Sequence, residues 1–381
     1  MKKNICIVVG ARPNFMKVAP LVRAIRTNGV ANCQLVYAGR SDDPTLEPQL
    51  FDDLQCPVPD LFLGADSQRL NELTAQVMGA FDHYLDSHPT DVVVVVDDLA
   101  STMAAAITAK KRGISLAHLV AGTRSFDINM PKEVNRLVID ALSDYLFTAG
   151  VKSHSVASRE QQADSPNTYM VGNILMDTLR FNRQRLLQPT LRLLSSNDST
   201  PTGEVLTPES GQYIVLTLNR HALLNDTAKL SNLLNAIIET ANGLPIIAPL
   251  RDSALKAIQQ SKAYVQQLAQ PKNACMARAF NIVPPMRYLE FAWLTAHAKG
   301  IVTDSGNVAE EATWNGVPCI TLNSYTEHIE TVTVGTNVLV GEDAEKLREA
   351  MTLLTTDNWK TATLPDRWDG RTADRIVSVL T

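Results

Sequence analysis

Two cations one helical turn apart, just past a strand, make an arrangement able to hold phosphate. Gly10-Ala11-Arg12-Pro13 directly follows the apolar run 5–9, and Lys17 lies five residues beyond Arg12. The turn places Arg12 at the carboxyl edge of that strand, where its guanidinium fork suits phosphate oxygens. A solvated arginine at a helix start explains the same spacing equally well. Thr303-Asp304-Ser305-Gly306-Asn307 is a second such junction, between an apolar strand and a helix carrying Glu310 and Glu311. The amides of Ser305, Gly306 and Asn307, together with the helix dipole, suit a diphosphate. An ordinary Asp or Ser N-cap competes with this reading. The glutamate pair favours a ligand, because one of the two is expected to face the ligand side and accept from ribose hydroxyls.

Val96-Asp97-Asp98 ends a run of five valines with two acids, which are costly to bury unless paired or used. Capping of the helix that starts near Ser101 is the competing role for Asp98. His118, between Ala117 and Leu119 in a strand, reads more readily as a satisfied core histidine than as a ligand. No His/Cys/Asp set has metal-ligand spacing, so neither a metal nor a cofactor is expected. GxSxG, P-loop and dinucleotide glycine motifs are absent.

Strands and helices alternate around these residues. Runs 5–9, 33–37, 92–96 and 116–120 read as strands, and 15–26, 69–85, 101–111 and 132–141 as helices. The unbroken valine run implies a central parallel strand buried on both faces. Polar residues 195–211 read as a loop before a second series. There, 213–218, 245–248, 281–283, 300–303 and 319–322 read as strands, and 226–241, 288–298, 308–315 and 344–354 as helices. The pattern predicts an α/β protein of two Rossmann-like doubly wound domains, with ligands at the carboxyl ends of the strands in a cleft between them. The expected domains are 1–172, rejoined by a C-terminal helix within 366–381, and 173–365.

The 381 residues suffice for two full cores, and the apolar (45%) and charged (20%) contents are those of an ordinary globular chain. A net charge of −5 gives no general electrostatic case for nucleic acid or an anionic membrane, so an anionic ligand needs a local cationic pocket. Five scattered cysteines without a CxxC pair fit a reducing compartment, with Cys6 and Cys319 as buried thiols. The apolar stretch after Met1-Lys2-Lys3-Asn4 is too short for a signal core or a membrane span, so a cytoplasmic location is expected.

Together these segments resemble the non-hydrolysing UDP-N-acetylglucosamine 2-epimerases. The resemblance is carried by Gly10-Ala11-Arg12-Pro13-Asn14-Phe15-Met16-Lys17, Ser101-Thr102-Met103-Ala104-Ala105, Ala121-Gly122-Thr123-Arg124-Ser125-Phe126-Asp127, Pro131-Lys132-Glu133-Val134-Asn135-Arg136, Val171-Gly172-Asn173-Ile174, Thr303-Asp304-Ser305-Gly306, and Thr326-Glu327-His328-Ile329-Glu330 with Gly335-Thr336-Asn337. It spans almost the whole chain. It implies a glycosyltransferase-B-like fold, a homodimer, a UDP-sugar ligand and a place in surface-polysaccharide assembly. Carried over residue by residue, Arg12, Ser305, Gly306 and Glu311 look like UDP contacts, with Asn307 and Arg220 beside them. Phe291 looks like the residue near the uracil, Lys17 like a phosphate-side cation, and Asp98 like a catalytic carboxylate.

Departures from the family pattern fall on its acid–base residues. Val120 and Lys132 stand where the family has glutamates, Asn219 where it has a histidine, and His328 where it has an arginine. Asp97 replaces a glycine, and Arg40-Ser41 replaces Gln-His. The family reaction, as the resemblance implies it, eliminates UDP and re-adds it after inverting C2 of the sugar. Elimination needs a base at C2, and return of the proton needs a donor on the other face; each typically supplies about 10²–10⁴ in rate. Valine transfers no proton. Asp98, Asp97, Lys132, Glu133 and His221 are the remaining candidates for acid and base. Three functions stay open at this point: an epimerase on a UDP-sugar, a glycosyltransferase using the same donor, and a non-catalytic UDP-sugar binder.

Overall fold

The computed structural model describes residues 2–160, 167–194, 201–264 and 280–381. The chain forms two compact units, residues 1–183 with 366–381, and 184–365.

The first unit is built on a seven-stranded, wholly parallel sheet in the order β3-β2-β1-β4-β5-β6-β7. Its strands are β1 (Lys3–Val9), β2 (Ala31–Tyr37), β3 (Leu61–Phe62), β4 (Val92–Val96), β5 (Ser115–Ala121), β6 (Tyr145–Thr148) and β7 (Thr168–Met170). All five valines of β4 are buried, as a strand covered on both faces requires. The helix Arg12–Asn28 buries Phe15, Val18, Ala19, Leu21, Val22 and Ile25, one stripe at helical spacing, and ends at Gly29 in the left-handed conformation.

The second unit repeats the plan with six parallel strands in the order β12-β11-β10-β13-β14-β15. These are β10 (Ile214–Thr217), β11 (Ile246–Pro249), β12 (Phe280–Val283), β13 (Gly300–Thr303), β14 (Cys319–Thr321) and β15 (Asn337–Leu339). In both sheets the chain reverses direction of winding beside the first strand, between β1 and β4 and between β10 and β13. Such a switch point leaves a crevice at the carboxyl ends of the strands. The short segments β6, β7 and β15 escape the sequence pattern because three or four residues carry too little periodicity.

Two expectations need correction. The domain boundary falls at 183/184, not 172/173. The helix Leu175–Asn182 belongs to the first unit, where Thr178 Oγ1 donates to the Met16 carbonyl (2.6 Å) and Asp177 accepts from the amides of Thr372 (3.0 Å) and Ala373 (2.8 Å). Nor is 195–211 all loop. Residues 201–206 form β9 (Pro201–Leu206), antiparallel to β8 (Leu191–Leu194), and Leu191 and Leu193 enter the core of the second unit; 195–200 lie outside the described residues. The helix Thr372–Leu380 returns to the first unit, and Trp368 is buried there with its indole N–H on the Ala149 carbonyl (3.0 Å). Cys6, Cys56 and Cys319 are buried free thiols, Cys33 is half-buried, and Cys275 lies outside the described residues.

Candidate functional site

In the first unit the candidate residues gather at the carboxyl ends of β1 and β4. Gly10 leaves β1, and a side chain at this position would meet Ser101 Oγ at 2.0 Å, so any other residue forces Ser101 to shift. The Asn14 side chain folds back on the turn and accepts from the amides of Gly10 (2.9 Å) and Ala11 (3.2 Å). Its amide nitrogen donates to Asp97 Oδ2 (2.8 Å), and Lys17 Nζ holds the other Asp97 oxygen at 2.6 Å. This corrects the expectation for Lys17. The lysine is buried and ion-paired within its own unit rather than presented to phosphate. Arg12 opens the helix half-buried, at the position expected for it.

Asp97 sits at φ 58°, in the left-handed region. His118 fixes the carbonyl of that residue: Nε2 lies 3.0 Å from Asp97 O, and Nδ1 lies 2.5 Å from Asp140 Oδ1. Asp140 also accepts from the Gly122 amide (3.0 Å) and pairs with Arg124 (2.7 Å). The histidine is therefore a buried structural link, satisfied at both ring nitrogens.

Asp98 is buried and caps no helix; Leu99 holds the N-cap position, and Asp98 forms ion pairs instead. Arg136 donates twice to its Oδ2, with Nε at 2.9 Å, while Lys132 Nζ stands 3.5 Å from Oδ1. Burial pushes the carboxyl upward, but Lys132 and Arg136 together hold it below the usual carboxylate range. Glu133 is turned to a structural task. Its carboxylate accepts from the Ser125 amide (2.8 Å), the Ser125 hydroxyl (2.9 Å) and the Phe126 amide (3.2 Å), and it pairs with Arg136 (3.2 Å). Although burial opposes it, these bonds hold Glu133 below its ordinary value. With every oxygen engaged, Glu133 is a clamp on the 125–126 turn and not a free acid or base.

Val120 lies in β5 where the register against β6 shifts, with φ 73°. For a β-branched residue this is an outlier and stores backbone strain of about 1–3 kcal/mol. Strain of this kind gathers at functional sites, and nothing in the residue pattern around Val120 announces it.

In the second unit the parallel position is the start of the helix Gly306–Asn315, after β13. No side chain caps it. Asp304, one expected cap, turns away and accepts instead from the amides of Asn219 (2.7 Å) and Arg220 (2.7 Å) beyond β10. Gly306 is exposed, with no heavy atom within 4 Å of where a side chain would begin. Glu310 and Glu311 are both buried. Glu310 Oε1 lies 3.6 Å from His328 Nε2. Glu311 Oε2 is buried without a hydrogen-bond partner among the described residues. Burial, with Glu310 adding to it, pushes the Glu311 carboxyl up to about 8. Phe291 is half-buried on the helix Tyr288–Ala296, packed against the core around β8, β10 and β13. Arg220 Nη1 lies 3.3 Å from Glu342, which Lys229 also holds at 2.7 Å. His221 is exposed and opens the four-residue helix His221–Leu224, while Asn219 is exposed. No cluster of metal-ligating side chains occurs among the described residues, and no described helix is long and apolar enough to cross a membrane.

Two parallel doubly wound sheets, each with charged groups at its switch point, define an α/β fold of the glycosyltransferase-B-like class. Residues 23–381 match the family model described as UDP-N-acetylglucosamine 2-epimerase. The chain belongs to that family. It is 30% identical over 382 residues to a UDP-N-acetylglucosamine 2-epimerase of Methanocaldococcus jannaschii, covering 99% of both chains. It is 28% identical over 349 residues to a UDP-2,3-diacetamido-2,3-dideoxy-D-glucuronate 2-epimerase of Pseudomonas aeruginosa, covering 91% of both. The structure of the M. jannaschii UDP-GlcNAc 2-epimerase in complex with UDP-GlcNAc and UDP superposes with a TM-score of 0.79 at 29% identity, over 99% of each chain.

Proposed function

We propose that this chain binds a UDP-sugar and inverts C2 of the sugar by eliminating and re-adding UDP. The substrate is UDP-N-acetylglucosamine, interconverted with UDP-N-acetylmannosamine, or a related UDP-sugar. The observation that carries the reading is the start of helix Gly306–Asn315, left without a side-chain cap, followed by a buried Glu311 whose Oε2 lacks a partner. The Ser305 amide donates to Thr303 Oγ1 (3.0 Å); those of Gly306 and Asn307 suit a diphosphate, and the Glu311 carboxylate suits the hydroxyls of a ribose, since a buried acceptor is costly until it receives a donor. Arg12 supplies the charge-assisted contact to the phosphates. Kinship with a protein whose structure was determined with UDP-GlcNAc and UDP supports the same ligand class.

For the chemistry, Asp98 is the carboxylate held ionised by its neighbours, as a base at C2 must be. It takes the C2 proton while the C1–O bond to the diphosphate breaks and its electron pair leaves with UDP. Addition of UDP to the resulting glycal, with a proton returned from the opposite face, completes inversion. Lys132 and His221 are the donors left to test. A transferase that uses Asp97 to activate an acceptor is less well supported, because both Asp97 oxygens are held by Lys17 and Asn14. The protein is expected to be a homodimer, which sedimentation of the purified chain checks, and to be cytoplasmic, which fractionation of cells checks.

The test is incubation with UDP-N-acetylglucosamine in D₂O, followed by NMR. Deuterium at C2 is the expected outcome. UDP released only when an acceptor is added replaces the reading with a transferase, and bound but unchanged nucleotide sugar replaces it with a binding protein.

A further inference from the structure

The turn that leads from β5 into the helix Pro131–Leu142 holds an aromatic ring out in water. Phe126 is 71% exposed, and Ile128, two residues on, is 62% exposed. The turn that carries them is stiff. Glu133, buried on the first turn of the helix, accepts from the amides of Ser125 and Phe126. The Asp127 amide donates to Ser125 Oγ (3.3 Å), and Asp127 Oδ1 accepts from the backbone and side-chain amides of Asn129 (3.0 Å each). Phe126 itself has φ 61°, a left-handed conformation that disfavours a bulky side chain. Single exposed apolar residues are ordinary. Here, however, a buried carboxylate holds the ring outward on a strained backbone, and the chain itself gives the ring little cover.

The bonding of the turn points to what covers it. Glu133 Oε2, which takes both Ser125 bonds, also accepts from Arg136 (3.2 Å), and Arg136 Nε donates to Asp98 Oδ2 (2.9 Å). The anchor of the turn and the base proposed for C2 therefore share one guanidinium. We infer that Phe126 is a substrate-contacting residue whose ring packs on the C–H face of the sugar. The inference rests on the reading of elimination and re-addition. Once Asp98 has taken the C2 proton and the C1–O electron pair has left with UDP, the sugar is an uncharged glycal with no covalent tether. Apolar cover holds such a ring in place and keeps water from it until UDP adds back. The link through Arg136 favours the sugar over a second copy of the chain, whose contact would need no connection to the base.

Wild-type protein, Phe126→Ala, Phe126→Tyr and Phe126→Gly test this with UDP and UDP-N-acetylglucosamine. In calorimetry, Phe126→Ala should bind UDP as the wild type does and UDP-N-acetylglucosamine about fivefold more weakly, the size of one aromatic contact. NMR in D₂O should show more of its turnovers ending in free 2-acetamidoglucal and UDP, and fewer in C2-deuterated nucleotide sugar. Phe126→Tyr should keep the wild-type values. Phe126→Gly should share the losses of Phe126→Ala yet unfold at no lower temperature than the wild type, because glycine relieves the left-handed backbone. A side chain with only a structural part would do the reverse. Unchanged sugar affinity and unchanged partition in Phe126→Ala overturn the inference and leave the epimerase reading intact. So does conversion of a wild-type dimer to monomers by the same change, which assigns the ring to a second copy. Wild-type protein that neither deuterates C2 nor releases glycal overturns both.

Discussion

The two units place carboxylates at equivalent points of equivalent sheets, yet treat them oppositely. In the first, Asp97, Asp98 and Glu133 are each held by cations or amides, and Asp98 and Glu133 sit below their ordinary range. In the second, Glu311 is sealed in without a partner on Oε2 and is pushed up to about 8. Asp98 and Glu133 are held in the charged form by partners in their own unit. A carboxylate left unsatisfied in a buried position is a cost that folding does not relieve, in keeping with the proposal that Glu311 receives ribose hydroxyls.

The sharpest way to break this contrast is to remove the cation that holds the first cluster together. Arg136→Leu leaves Asp98 and Glu133 without their shared partner, and is expected to cost about 3–5 kcal/mol in urea unfolding. A loss under about 1 kcal/mol would mean that the cluster is not saturated by this arginine. Next in size, Arg12→Ala should weaken UDP binding by about 1–3 kcal/mol, and unchanged calorimetric affinity removes Arg12 from the site.

Glu311→Gln probes the other side of the comparison. Glutamine still accepts one bond, so UDP affinity should fall by about 1–2 kcal/mol. The more specific readout is protons. At pH 7 the wild-type carboxyl is mostly protonated, and ribose hydroxyls favour its ionised form, so UDP binding should release about one proton, seen as a buffer-dependent heat. The variant should release none. Stability follows the same linkage. The folded carboxyl titrates near 8 and the unfolded one near 4.5, so between these values the folded state holds the extra proton. Wild-type stability without ligand should therefore decline as pH rises from 4.5 to 8, relative to Glu311→Gln, and parallel curves would contradict the burial assigned to this group. The smallest effect is expected from Glu342→Gln, which frees Arg220 from a partly exposed ion pair. UDP affinity should rise by about 0.5 kcal/mol.

Much of this architecture is legible in the sequence because it is local. Five valines in a row announce a central strand, and Phe15 to Ile25 announce a helix by spacing alone. The partnering at the site is not local. Lys17 and Asp97 are separated by 80 positions, and Asp98 and Arg136 by 38. Only the fold decides that Lys17 faces a carboxylate rather than a phosphate. That Glu311 is the one with an unpartnered buried oxygen is likewise not legible in the sequence. A surface helix shows one side to water, but Gly306–Asn315 is covered on the faces carrying both glutamates. The hairpin of β8 and β9 was hidden by composition, since Pro201 and Gly203 are poor strand formers until a partner strand is supplied.

The return of residues 366–381 to the first unit has a bearing on the order of assembly. Synthesis delivers the whole of the second unit before the helix Thr372–Leu380 emerges, and that helix start is held by Asp177, nearly two hundred positions earlier. The middle of the polypeptide can thus reach its native state on the ribosome while the leading portion waits, half-finished, for its closing piece. Nascent chains arrested before residue 366 should accordingly show a protease-resistant core from the middle and a labile front.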